Sequence, residues 1–295
     1  PAQFGIYSIW EVEPLDKSAA EIMNEARVAA AARRRAEAIA TVRAAMAKRG
    51  ASEIVFAMRK PSPDGHWYAN FGYYAECEKG KEVHVAAPDA EKAVAYREGG
   101  RLCKLDVTSG KVTVLLDDPR GGVRDPFIDH DGRTVLFSYR PGDSEHYHLH
   151  TIGVDGKGLR RLTDGGYDDI EPCRLPDGDI LFVSSRCKRW VNCWATQVAV
   201  LHRCGPDGGG IRAISSNNEH DNTPWVLPDG RVIYTRWEYI DRSQVDYHHL
   251  WTTNPDGTGQ MVHFGNQRPG LVMIDAKPVP GSEKVVAIFS PGHGR

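Results

Sequence analysis

The chain has 295 residues, 41% of them apolar and 26% charged, with a formal net charge of −2. That is ordinary globular composition, sufficient for one large domain or two small ones. The near-neutral balance excludes a nucleic-acid-coating surface, and no apolar run approaches the ~20 residues that span a bilayer. Pro1 follows neither a start Met nor a signal-peptide pattern and reads as a processed end.

The first element is helical. Ser18-Ala-Ala-Glu21 has the form of a capping box, in which serine and glutamate satisfy each other's orphan backbone donors. From there to Arg49 the chain holds neither Pro nor Gly and is dominated by Ala, Arg and Glu, strong helix formers. Lys48 and Arg49 suit the negative end of the helix dipole, and Gly50 suits the C′ position. The pattern predicts one helix over about 19–49, roughly 45 Å long, within an N-terminal segment 1–50. Ile22, Ala29, Ala36, Ile39, Val42 and Met46 form only a thin apolar stripe. The helix is therefore expected to pack along the outside of the main domain, or to serve as a strut to another domain or subunit.

After Gly50 short alternating strands are separated by Asp-Gly turns, whose φ > 0 positions favour glycine. The segments 125–138, 171–184, 223–236 and 277–290 align on Pro126, Pro172, Pro224 and Pro278, separated by 46, 52 and 54 residues. Two-strand hairpins at 148–163, 198–215 and 249–264 follow the first three copies, and EIVFAMR (53–59) with 102–116 reads as an earlier one. A period of 40–55 residues with four short strands per unit is a β-propeller blade. The fold expected is therefore all-β: a β-propeller of four-stranded blades with one long N-terminal α-helix. Residues 51–295 hold four blades and the start of a fifth, so the propeller is expected to be incomplete in this chain, an open blade edge leaving strand groups unpaired.

These repeats resemble the TolB-like propeller family: a proline, an apolar or aromatic residue, Pro-Asp-Gly, an apolar strand, and a strand ending in Asp-Gly. The longer stretch 184–259, followed by 272–295, resembles planctomycete-type proteins related to the hydrazine synthase alpha subunit. That resemblance implies an exported, periplasmic or secreted compartment, and a propeller joined in one polypeptide to haem c domains. The sequence has no CxxCH, so no haem attachment carries onto any of its residues; by motif this chain holds no cofactor, and haem would come only from another region or chain.

Cysteines stand at 77, 103, 173, 187, 193 and 204, none with CxxC spacing. Cys187 and Cys193 bracket the insert KRWVN, which the other blades lack, and are expected to form a disulfide restraining that loop, with Cys204 the competing partner.

Three sets of residues carry possible chemistry. His146, His148 and His150 alternate by two, which places them on one strand face, where an HxH pair can bind zinc. Tyr247, His248 and His249 hold matching places in a later blade, which favours a structural role. Ser184-Ser185, Ser215-Ser216 and His220-Asp221-Asn222 could be pieces of a hydrolase, although no GxSxG elbow is present. Asp169, Asp221 and Asp275 each stand three residues before a repeat proline, with Asp125 and Glu171 one residue before theirs. Blade symmetry is expected to bring these carboxylates to the channel mouth, where a hard cation such as calcium would suit an all-oxygen ring; the alternative is that each caps its own turn.

The reading that follows is a propeller scaffold and interaction module of a larger exported protein, its partners being other domains or subunits rather than nucleic acid. The alternative is the propeller part of a haem-dependent redox enzyme similar to the hydrazine synthase alpha subunit.

Overall fold

The computed structural model describes residues 18–60, 98–193 and 196–291. Two compact units are present. One holds the residues up to Glu53 together with Asp106–Gly110; the other holds Ile54–Leu105 and Lys111 onward. Cys77 lies outside the described residues.

The first unit is built on α1 (Ala19–Lys48), whose N-terminus carries the predicted capping box. The Ser18 hydroxyl accepts the Glu21 N–H at 3.3 Å, and the Glu21 carboxylate accepts the Ser18 N–H at 2.7 Å. At the other end Gly50 adopts φ +73° and its N–H donates to the Ala47 carbonyl, as a helix-terminating glycine does. Met23, Val28 and Val42 are exposed, in keeping with so thin an apolar stripe.

The second unit is a series of antiparallel sheets. The first sheet contains β1 (Glu53–Arg59), β2 (Gly100–Asp106) and β3 (Val112–Asp118). The second has four strands in sequential order: β4 (Gly122–Ile128), β5 (Thr134–Arg140), β6 (His148–Gly153) and β7 (Arg160–Arg161). The third repeats that order with β8 (Asp169–Arg174), β9 (Ile180–Ser184), β10 (Val200–Cys204) and β11 (Arg212–Ala213). The fourth does so with β12 (Asp221–Val226), β13 (Val232–Trp237), β14 (Tyr247–Thr253) and β15 (Met261–Phe264). A fifth blade begins with β16 (Leu271–Pro278) and β17 (Val285–Pro291), and β16 runs parallel to the start of β14 through Tyr247↔Leu271 and His248↔Val272. These are the blades of a β-propeller.

The first strands β4, β8, β12 and β16 contact one another in succession, which makes them the innermost strands. One apolar cluster joins blades two to four through Leu136, Ile170, Phe182, Leu201 and Tyr234, and smaller clusters join blades one to two and four to five. The recurrent Asp-Gly turn also has a packing role. A Cβ on Gly208 (φ +92°) or Gly257 (φ +91°) would lie 2.1 Å from the Leu162 or Ile214 carbonyl oxygen, so backbone of the preceding blade occupies that space.

Each innermost strand carries a bulge at the same place, where register shifts between Arg124 and Phe127, Ile170 and Cys173, Asn222 and Trp225, and Ile274 and Lys277. Inside it sits a non-glycine residue with positive φ: Asp125 (53°), Glu171 (54°), Thr223 (50°) and Asp275 (56°). This corrects the repeat alignment. The residue equivalent to Pro126, Pro172 and Pro224 is Ala276, not Pro278, and the blade spacing is 46, 52 and 52. Asp275 therefore belongs with Asp125, Glu171 and Thr223. Asp169 and Asp221 hold a different position, filled by Val123 and Met273 in the other blades.

Candidate functional site

The left-handed bulge residues form a relay from blade to blade. The Asp125 carboxylate accepts the Glu171 backbone N–H at 3.2 Å; the Glu171 carboxylate accepts the Thr223 N–H at 2.5 Å; the Thr223 hydroxyl accepts the Asp275 N–H at 3.1 Å. A bulge frees an N–H from the strand ladder, and positive φ turns it toward the neighbouring blade. Ser138 also accepts the Glu171 N–H at 3.1 Å, and in the fourth blade Thr235, at the place of Ser138, bonds Thr223 and donates to the Met273 carbonyl at 2.7 Å. The relay satisfies polar backbone groups that would otherwise be buried unpaired.

Its charges are concentrated in blades two and three. The Arg124 side chain, 1% exposed, donates to Asp125 at 2.5 Å and to Glu171 at 3.2 Å. Burial opposes the charge on Arg124, but these two carboxylates outweigh it and raise its pKa. Burial, with the Asp125 charge in second place, raises the Glu171 carboxyl from 4.5 to about 7, against the pull of Arg124 and the Thr223 N–H.

Asp169 and Asp221 are not part of this relay. Both are wholly buried, and each is gripped at both oxygens by one arginine of its own blade. Arg186 donates to Asp169 at 3.0 and 2.7 Å, and Arg236 donates to Asp221 at 2.8 and 2.8 Å. Burial alone would raise the Asp169 pKa; the hydrogen bonds from His148, Arg186 and Ser184 outweigh it and hold the carboxyl below its usual range. The sequence signal for these clamps is an arginine at or just past the end of the second strand: Arg186, two residues beyond β9, and Arg236 in β13.

The three histidines divide their contacts. His146 Nδ1 lies 3.7 Å from Asp168, and His148 Nδ1 lies 3.5 Å from Asp169. His150 Nδ1 bonds the His148 carbonyl at 3.0 Å and packs edge-on against Tyr139, while burial lowers its pKa to about 4. His202 makes the same bond to the Val200 carbonyl in the next blade, at 2.9 Å, so the arrangement is a repeat feature. Among the described residues, no group of three or more His, Cys, Asp or Glu side chains is placed to hold a metal.

The serines and His220 are likewise engaged separately. Ser184 donates to Asp169 at 2.7 Å, Ser215 accepts the Leu201 N–H, and His220 accepts the Ala199 N–H. The expected disulfide is absent: Cys187, Cys193 and Cys204 are thiols. The Cys187 thiol turns to the Val198 carbonyl at 3.1 Å, Cys193 lies exposed beside Tyr239, and Cys204 is buried in β10.

Two residues beyond the left-handed residues of blades two to four, Phe127, Cys173 and Trp225 line a pocket of about 690 Å³ together with Pro126, Arg174 and Val226. Phe127 and Trp225 meet at 5.3 Å between ring centroids across the intervening blade, and the Lys277 ammonium lies 4.3 Å from the centre of the Trp225 ring. Arg174 is held by Asp129, so the pocket wall is mainly apolar.

The sheets and their inner-strand repeats define a β-propeller of four-stranded blades. In fold the chain is similar to hydrazine synthase from Kuenenia stuttgartiensis, with a TM-score of 0.63 and 18% identity over 81% of this chain and 36% of that one. The match to a TolB from Agrobacterium tumefaciens has a TM-score of 0.45 and 19% identity over 56% of each chain. The TolB of Acinetobacter baumannii gives 0.45 and 12% over 65% of this chain and 46% of that one. This chain thus spans about a third of the hydrazine synthase chain and about half of each TolB. No protein-family model matches the chain, and no curated protein matches it. No described helix is long and apolar enough to cross a membrane.

Proposed function

We propose that this chain is the propeller scaffold and interaction module of a larger exported protein, working in the periplasm or outside the cell beside other domains or subunits. The observation that carries this reading is the inward use of its polar chemistry. Asp125 and Glu171 are spent on relay bonds that fasten one blade to the next, and Asp169 and Asp221 on arginine clamps within their own blades. A rigid series of blades presenting its loops needs no chemistry of its own.

A second reading, the propeller part of a haem-dependent redox enzyme similar to the hydrazine synthase alpha subunit, draws on the fold likeness over 81% of this chain. Purification of the native protein that contains this chain separates the two. The scaffold reading expects co-elution with partner domains or subunits and no Soret absorption band in the oxidised or reduced spectrum. A Soret band that co-purifies in stoichiometric amount would overturn it in favour of the enzyme.

A further inference from the structure

The pocket beyond the left-handed residues has no part in the scaffold reading. Its lining comes from the inner strands and following turns of blades two to four, each of them four-stranded and flanked on both sides by a further blade. Its volume of about 690 Å³ lies in the range of small-molecule sites, roughly 300–1,000 Å³.

The wall is apolar and in part aromatic. Cys173, 1% exposed, stands between Phe127 and Trp225, and its short side chain lets the two rings meet at 5.3 Å. Burial pushes its thiol up to about 12, so the sulfur stays neutral and behaves as a small apolar group. Trp225 is half-buried and Ile128, which also lines the pocket, is 40% exposed. Apolar surface is therefore left open on a concave wall.

The polar groups around that wall are donors. No lining residue is acidic, and no lining side chain offers an oxygen acceptor. A guanidinium carries five N–H donors. Arg174 spends three of them on Asp129 and the Gly178 carbonyl, which leaves two. The Lys277 ammonium, 4.3 Å from the centre of the Trp225 ring, bonds Asp275 with one of its three N–H groups. Asp129 and Asp275 hold these cations in place, so what they present is a few directed N–H bonds beside an apolar surface. A carboxylate accepts such bonds more strongly than a neutral carbonyl, and an ammonium finds no acceptor there.

We propose that this pocket binds a small aromatic acid, its ring against Phe127, Cys173 and Trp225 and its anionic group facing the remaining donors of Arg174 and Lys277. The ring surface supplies the affinity, and the donors supply the preference for an acid over its neutral or cationic analogue.

The test is calorimetric titration of the full chain with naphthoate, with neutral naphthamide and with naphthylmethylammonium. Naphthoate should bind saturably at one site, naphthamide about tenfold more weakly, and the cation not at all. Ile128→Glu, which places a negative charge on the pocket wall, should weaken naphthoate at least tenfold. Lys277→Gln should bring naphthoate and naphthamide closer together without changing naphthamide. Val114→Asp, on the first blade, should change none of them. Ile128, Lys277 and Val114 are all at least partly exposed, and unaltered circular dichroism of the variants confirms that they fold. No saturable binding of naphthoate, equal binding of the acid and the amide, or an Ile128→Glu variant that binds naphthoate as wild type does would each overturn the proposal. None of these outcomes bears on the spectroscopic test of the module reading.

Discussion

Glu171 is the point at which the relay is most open to a quantitative test. Its side chain is 7% exposed, its oxygens face the Thr223 N–H and Arg124, and burial together with Asp125 raises its pKa from 4.5 to about 7. The native state then binds the proton more tightly than the unfolded chain. Stability from this group is fully present below pH 4.5, falls as pH rises toward 7, and is level above that. A rise from 4.5 to about 7 corresponds to roughly 3 kcal/mol. Glu171→Gln keeps an acceptor for the Thr223 N–H and has the shape of the protonated acid, but does not ionise. The variant should match wild type at pH 4.5 within about 1 kcal/mol and exceed it by up to about 3 kcal/mol at pH 8. Urea unfolding followed by tryptophan fluorescence from pH 4.5 to 8 measures this. Glu219, raised to about 7, and His150, lowered to about 4, titrate in the same range but cancel in the difference between the two proteins. A glutamine variant less stable than wild type at pH 8 would show that Arg124 holds Glu171 ionised and would refute the reasoning.

Arg186→Leu should cost about 3–5 kcal/mol in thermal or urea melts, because Asp169 would be left buried without its bidentate partner; a loss below 1 kcal/mol would mean that the clamp contributes little. Gly208→Ala should destabilise by more than about 2 kcal/mol, since both its φ of +92° and the Leu162 carbonyl stand against a Cβ, while Gly178→Ala meets no neighbouring atom and should cost less. Under native, non-reducing conditions iodoacetamide should label exposed Cys193 first among the described cysteines; Cys173 and Cys204, pushed up to about 12 by burial, should react only after unfolding. Mass spectrometry showing Cys187 joined to Cys193 would contradict the thiols seen here. Calcium at millimolar concentration should leave the melting temperature unchanged, because arginine, lysine or backbone N–H groups already hold Asp169, Asp221, Glu171, Asp125 and Asp275; a rise of several degrees that Asp275→Asn removes would place a cation on the ring.

The blades were legible because each strand of a blade leaves a local trace: β-branched alternation for the buried sheet, and an Asp-Gly pair where backbone must pass close to the preceding blade at Gly208 and Gly257. The capping box of α1 was legible for the same reason, since both partners lie within four residues. The site was less so. Proline is the visible mark of the inner strand, and aligning Pro278 with Pro126, Pro172 and Pro224 shifted the fifth blade by two residues and grouped Asp275 with Asp169 and Asp221. What recurs is a backbone conformation: a left-handed residue inside a bulge, whose side chain needs only an acceptor oxygen. Asp, Glu and Thr all supply one, so the position varies in identity and charge while its geometry is constant. The disulfide failed on direction, as spacing brings Cys187 and Cys193 close in sequence without saying that one thiol turns inward to Val198 and the other outward. Reading the repeat as acceptor, then Pro or Ala, then the pocket residue yields Asp-Pro-Phe, Glu-Pro-Cys, Thr-Pro-Trp and Asp-Ala-Lys. In that register the triplets of blades two to four carry two roles of the inner strand: the first residue bonds the next blade, and the third lines the pocket, where Phe127 meets Trp225.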